Sequence, residues 1–224
     1  MRTKVKLTKH QIKEDKFTNY MLQSREWFLA NWQVVSIAAA AVILVIVGAV
    51  YFFRMQGGKE VDALNRLNRA IAESRRQNYQ VAILELKSLA DSYSGQVGGQ
   101  AVFNLANAYY ESKNYDEALS SFRRYIDSYH ADELTTSSAL AGEGACLENK
   151  QQFTAAGDKF VDAIKYYPES PSAPDYYVAA VRNFVHAGEK EKVNTLLEEM
   201  GERYPGSEYL RTATRTAMSL KLNT

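Results

Sequence analysis

Two hydrophobic patterns divide this chain. From Val34 to Phe53, twenty consecutive residues carry no charge. A helix of that length reaches about 30 Å, the depth of a bilayer's hydrocarbon core. Further on, apolar residues recur at helical spacing within a longer period. Asn-Tyr-Gln-Val-Ala at 78–82 returns as Asn-Tyr-Asp-Glu-Ala at 114–118, as Gln-Phe-Thr-Ala-Ala at 152–156 and, more loosely, as Glu-Lys-Glu-Lys-Val at 189–193. The anchors Ala82, Ala118, Ala156 and Val193 fall 36, 38 and 37 residues apart, and each is followed four positions later by a bulky residue, Leu86, Phe122, Phe160 or Leu197. Helical spacing inside such a period predicts a stacked array.

Before each anchor lies a segment that alternates small and large groups: Ala106 with Tyr109, Gly144 with Leu147, Val181 with Phe184. Closely packed helices need that alternation, because a small side chain on one admits a large one from the other. Twelve residues after the anchors come Ser94, His130, Pro168 and Pro205, each preceded by a tyrosine. Proline stops a helix because it lacks a donor and clashes with the preceding turn. Each unit therefore reads as helix, tight turn, helix, break.

These units resemble tetratricopeptide repeats. The match is best over 101–130, where Leu105, Ala106, Tyr109, Tyr115, Ala118 and Phe122 occupy consensus places, and Gly144, Phe153, Ala156, Phe160, Ala163 and Pro168 follow in the next unit. The first unit departs from the pattern at Arg66 and Glu73, and the last lacks an aromatic at Lys190. The repeats cover residues 62–206, and 207–222 reads as a closing helix whose Arg211, Thr212, Arg215, Thr216 and Lys221 suit a polar outer face. The expected fold is all-α: one N-terminal transmembrane helix, then an α-α superhelix of about four repeats with a C-terminal capping helix.

The organisation follows as a basic leader at 1–33, a transmembrane signal anchor at 34–53 and a repeat domain at 54–224. A buried core helix would need a polar face that 34–53 lacks. The leader's length and the Tyr51-Phe52-Phe53-Arg54 that follows the span argue against a cleaved signal peptide. Trp27, Phe28 and Trp32 at one end, with Tyr51 and Phe52 at the other, suit the two interfaces. The leader's net charge of +4 favours keeping it in the cytoplasm. Within it, Thr8 and Gln11 form a candidate capping box. Ile12, Phe17, Tyr20, Met21, Trp27 and Phe28 then fall on one side of an amphipathic helix, and a plain extension of the span is the equal alternative.

Charge and chemistry narrow the function. From Arg54 onward there are 20 basic and 23 acidic residues, which does not suggest a nucleic-acid surface. The lone cysteine, Cys146, permits no internal disulfide and sits where a small apolar residue packs. His10, His130 and His186 are too scattered to ligate a metal together. Gly95, Gly98 and Gly99 lack the lysine and hydroxyl of a phosphate cradle and read as a flexible joint between the first two units. No catalytic residue, cofactor, metal or small-molecule substrate is expected.

The resemblance implies that the leading helices line a concave groove for proteins or peptide segments. Its candidate binding residues are Phe103, Asn107 and Tyr110 in the second unit, Glu148 in the third, and Arg182 and His186 in the fourth, while Ala141, Ala145 and Val178 pack between units. Aromatic, amide and guanidinium groups can together hold a peptide. The family's clamp for a terminal carboxylate is not implied, because Asn104 and Asn107 lack the accompanying lysines. The layout of basic leader, span and exported array resembles the bacterial YfgM-like proteins that accompany the export translocon and envelope chaperones. It implies a single-pass inner-membrane scaffold with its N-terminus in the cytoplasm and its repeats in the periplasm, where translocon subunits or chaperones are the partners. The alternative is a permanent structural subunit of an envelope machine, for outer-membrane assembly or cell division, without exchangeable clients.

Overall fold

The protein is described by a computed structural model, which gives the backbone of residues 9–129 and 132–222 and the side chains of 20–51, 60–129 and 132–218. Thr8 of the capping box, the side chains of Ile12, Phe17, Phe52 and Lys221, and the break at His130 lie outside the described residues. Two compact units divide at Lys59 and Glu60. All ten helices of the described residues follow in order without a strand.

In the first unit, α1 (Lys9–Ala30) leads into the start of α2 (Trp32–Arg75). The helical hydrogen-bond ladder continues across the junction, with the Asn31 N–H donating to the Trp27 carbonyl and the Val35 N–H to the Asn31 carbonyl, each at 3.0 Å. The stretch long and apolar enough to cross a membrane is Trp32–Tyr51, and none of its residues is buried. It starts two residues before Val34, because Trp32 and Gln33 carry no charge either.

The second unit begins within α2, whose Ala63, Leu67 and Ala70 pack with Ala82, Leu86 and Leu89 of α3 (Tyr79–Ser92). Three more pairs follow: α4 (Gly95–Glu111) with α5 (Tyr115–Ser128), α6 (Glu133–Asn149) with α7 (Phe153–Tyr166), and α8 (Ala173–Ala187) with α9 (Lys190–Arg203). A final helix, α10 (Glu208–Leu222), packs on α8 and α9 through fully buried Ala213. Every anchor is buried. Ala82, Ala118 and Ala156 are wholly enclosed and Val193 nearly so, and of the bulky partners only Leu197 is half-exposed.

One turn is made four times. Gln77, Lys113, Gln151 and Gly188 all have positive φ, between 59° and 76°. After each, the next N–H reaches back five residues: Asn78 to Glu73, Asn114 to Tyr109, Gln152 to Leu147 and Glu189 to Phe184, at 2.8–2.9 Å. This left-handed cap satisfies carbonyls that a helix end would otherwise orphan. It also reverses the chain within three residues, which lets the second helix of each pair lie back along the first.

The glycine joint is a correction. Gly95–Glu111 is a helix, and Gly98 and Gly99 are buried in its first turns. A Cβ on Gly98 would collide with the Tyr93 carbonyl, and one on Gly99 would come 3.0 Å from the Tyr129 ring. Gly98 and Gly99 are there because two neighbouring segments approach closely, whereas Gly95, at φ 62° with nothing within 4 Å of an added Cβ, supplies a left-handed backbone conformation at the start of α4.

Candidate functional site

The residues expected to face a ligand ride on the leading helices α4, α6 and α8. Phe103 is half-buried on α4, its ring 6.1 Å from that of Phe122 and 5.5 Å from that of Tyr125, so one face belongs to the core. One turn later, Asn107 donates from Nδ2 to the Phe103 carbonyl at 3.0 Å. A further turn on, Tyr110 lies edge-on to Tyr115 at 5.7 Å. Its hydroxyl accepts a hydrogen bond from Asn149 Nδ2 on α6 at 3.2 Å. Burial pushes the Tyr110 phenol above its ordinary value, against the opposing effect of the Asn149 bond.

On the next helices, Glu148 and Arg182 meet in a two-point contact. Nε to Oε1 is 2.7 Å and Nη2 to Oε2 is 2.8 Å. Burial alone would raise the Glu148 carboxyl, but the hydrogen bonds from Arg182 and Asn183 outweigh it and hold the group below the usual carboxylate range. The hydrogen bond to Glu148 raises the Arg182 guanidinium further above an already high value. His186 stacks on Phe153 with ring centroids 4.9 Å apart. Ala141 is buried, and Ala145 and Val178 pack against the core, as their residue types suggested.

Among the six candidates, Asn107 is bonded to Phe103 and Glu148 to Arg182, while His186 contacts Phe153 instead. Tyr110 is tied through Asn149 to the same turn of α6 that carries Glu148, and Glu148 is tied to Arg182 on α8. Arg182 is accordingly committed within the protein and is not a free cation for a ligand. Asn149 was missed by sequence reasoning, although its place beside Glu148 at the end of a leading helix was a usable signal.

At the other end of α4, beside Phe103, a cavity of about 1050 Å³ opens. Gln96, Gln100 and Asn104 of α4 line one side, and Tyr125 of α5, Tyr129 just after it and Thr135 of α6 line another. Three further cavities measure about 250–390 Å³. One lies between α9 and α10 and two lie along the second helices.

Cys146 is fully enclosed, and burial pushes its thiol up to about 12, which leaves it protonated and unreactive near neutrality. Among the described residues no group of three or more His, Cys, Asp or Glu side chains could hold a metal ion.

The succession of helix pairs, buried small anchors and repeated left-handed turns defines a repeat protein of the helical-hairpin kind. The chain belongs to the tetratricopeptide repeat-like domain family, whose profile matches residues 25–162. Beyond that match the pattern continues in α8 and α9, where Gly188 and Val193 hold the turn and anchor places. No curated protein matches the chain. Repeats of this family serve as protein-interaction scaffolds, typically without catalysis, and that is the class to which the site belongs.

Proposed function

We propose that this protein is a membrane-anchored protein-binding scaffold of the bacterial cell envelope. Trp32–Tyr51 is held in the inner membrane, the leader in the cytoplasm and the repeats in the periplasm, where they bind proteins during export, folding or complex assembly. The observation that carries the reading is a twenty-residue apolar span with every side chain unburied, on a chain whose other unit is a family repeat array. An apolar helix that long and that exposed needs lipid around it. The basic leader supports the orientation. The layout also resembles the YfgM-like proteins that accompany the translocon, which makes translocon subunits and periplasmic chaperones the partners to seek.

The test is photo-crosslinking in living cells from Asn107 and Tyr110, with exposed Asp162 of α7 as the control position. Adducts with exported proteins or chaperone subunits, formed from α4 and not from Asp162, are expected. Equal labelling from both faces, or adducts with cytoplasmic proteins alone, would overturn the reading.

A further inference from the structure

We propose that the groove between α9 and α10 binds a second copy of this chain, each copy seating its Met218 in the other's groove. The contact is separate from the binding of clients at α4. The groove measures about 300 Å³ and is lined by Val193 and Leu197 of α9 and by Thr214, Ala217 and Met218 of α10. Its origin lies in the repeat. Tyr-Pro at 167–168 returns at 204–205, 37 residues on, so Thr214, Ala217 and Met218 stand in α10 where α8 has Tyr177, Ala180 and Val181. Those three residues of α8 are buried, whereas Met218 is 56% exposed and Thr214 and Ala217 are half-buried. The last helix therefore carries core positions that lie open to solvent.

An exposed methionine beside an apolar recess is a knob next to its hole. A two-fold axis makes that relation reciprocal, because the same patch serves on both copies and each knob enters the partner's hole. Methionine suits the role, since its unbranched, polarisable side chain adapts to an irregular recess. Leu197, half-exposed on the opposite wall, supplies apolar surface for it to cover.

Charge selects a second copy and fixes how the two meet. On α9, Glu198 follows the lining residue Asn194 by one turn, and on α10, Arg211, Arg215 and Met218 share one face at spacings of four and three. All three charged residues are exposed. Arg211 is already engaged by Glu208, at 2.9 Å from its Nε, which leaves Arg215 as the cation that matters. Leu197 and Thr214 line the same groove and only residues 204–207 join the helices, which sets them antiparallel with Glu198 and Arg215 at nearly one level. Lys190 lies two turns from Glu198, at the other end of the groove. Around Met218 the groove thus has an acid on its α9 rim and a base on its α10 rim. Rotation about an axis along the groove lays α9 of one copy over α10 of the other, so acid meets base twice. Rotation about an axis across it would lay like charges together, which is strongly unfavourable.

The experiment follows the mass of the full chain in detergent micelles by light scattering as its concentration is varied. A dimer is expected. Glu198→Arg and Arg215→Glu, both at exposed positions, should each weaken dimerisation by about tenfold or more, since each sets like charge against like at two places. Mixing the two variants under different tags should restore a dimer carrying both tags. There the reversed charge of one chain faces the reversed charge of the other, and the native pair forms at the second contact. Met218→Ser should weaken the dimer comparably while leaving the Tm of the chain unchanged, because an exposed side chain contributes little to the fold of a single copy. A monomer up to about 100 μM, a dimer that neither reversal weakens, or two reversals that fail to rescue each other would overturn the proposal. So would a different protein held at Met218 in place of a second copy. None of these results touches the crosslinking from Asn107 and Tyr110, which judges the scaffold reading separately.

Discussion

The Arg182 guanidinium grips the Glu148 carboxylate at two points, 2.7 and 2.8 Å, and so joins the fourth repeat to the third through their leading helices. Both side chains keep some solvent access, with 43% exposure for Arg182 and 23% for Glu148. The pair is therefore worth less than a buried one and more than a loose surface contact. Either single change, Glu148→Ala or Arg182→Ala, is expected to destabilise by about 1–2 kcal/mol, with a coupling of roughly 1 kcal/mol in the double-mutant cycle. Urea unfolding of the three variants checks it, and additive losses would show that the contact contributes nothing.

The same contact sets a pH dependence. The Glu148 carboxyl titrates below its ordinary value of 4.5 in the folded protein. Its contribution is therefore fully present above that value and is lost as the pH falls through the lower, folded one. Between pH 7 and pH 3 the Tm of the parent protein should fall further than that of Arg182→Ala, and parallel curves would contradict the assignment.

Lys113 holds a left-handed conformation, at φ 66°, in the turn that Gly188 makes in the last pair. A non-glycine residue there costs about 1 kcal/mol. Lys113→Gly is accordingly expected to stabilise by about 0.5–1 kcal/mol in spite of the flexibility it adds to the unfolded chain, and Gly188→Ala to destabilise by about 1 kcal/mol. Thermal unfolding of both variants decides the point.

The helix pairs were legible because their anchors obey a steric rule that spacing alone exposes. Ala82, Ala118 and Ala156 must be small where two helices touch, and they lie enclosed where the period put them. The left-handed turns were not legible, since Gln77, Lys113 and Gln151 are poor signals for positive φ. The fold imposes that conformation because the second helix must fold back. Gly98 and Gly99 misled for the opposite reason, since composition says flexible while the observed cause is close packing against Tyr93 and Tyr129. The sequence suggests Arg182 as a groove cation that holds a ligand. Its engagement by Glu148, 34 positions earlier, depends on how successive repeats stack, which one sequence does not state.

Two glycines should respond in opposite directions to the same change. Gly98→Ala drives a methyl into the Tyr93 backbone carbonyl, which cannot swing aside as a side chain tip could. A loss of about 2–3 kcal/mol is expected. Gly201 lies inside α9 with nothing within 4 Å of its added Cβ. There Ala should stabilise by about 0.5–1 kcal/mol through helix propensity alone. If both substitutions weaken the protein equally, the packing account of Gly98 fails.

Two buried acids make the fold sensitive to alkali. Burial lifts the Cys146 thiol from 9.0 to about 12. Burial, followed by the hydrogen bond to Glu199, lifts the Tyr177 phenol from 10.0 to about 12. In each case the folded state holds its proton longer than the unfolded chain does. The stability that follows is complete below the unfolded value and drains away as the pH rises toward the folded one, so the loss begins near pH 9 and is complete by about 12. Cys146→Ala should flatten the first part of that decline, and Tyr177→Phe the second. The thiol itself should resist a maleimide at pH 8 in the folded protein and react at once in denaturant. That inertness makes the chain its own background for topology mapping. A single cysteine placed at Ser120 should react with a membrane-impermeant maleimide added from the periplasmic side, while Cys146 stays silent. Protection of Ser120→Cys from that side would overturn the proposed orientation.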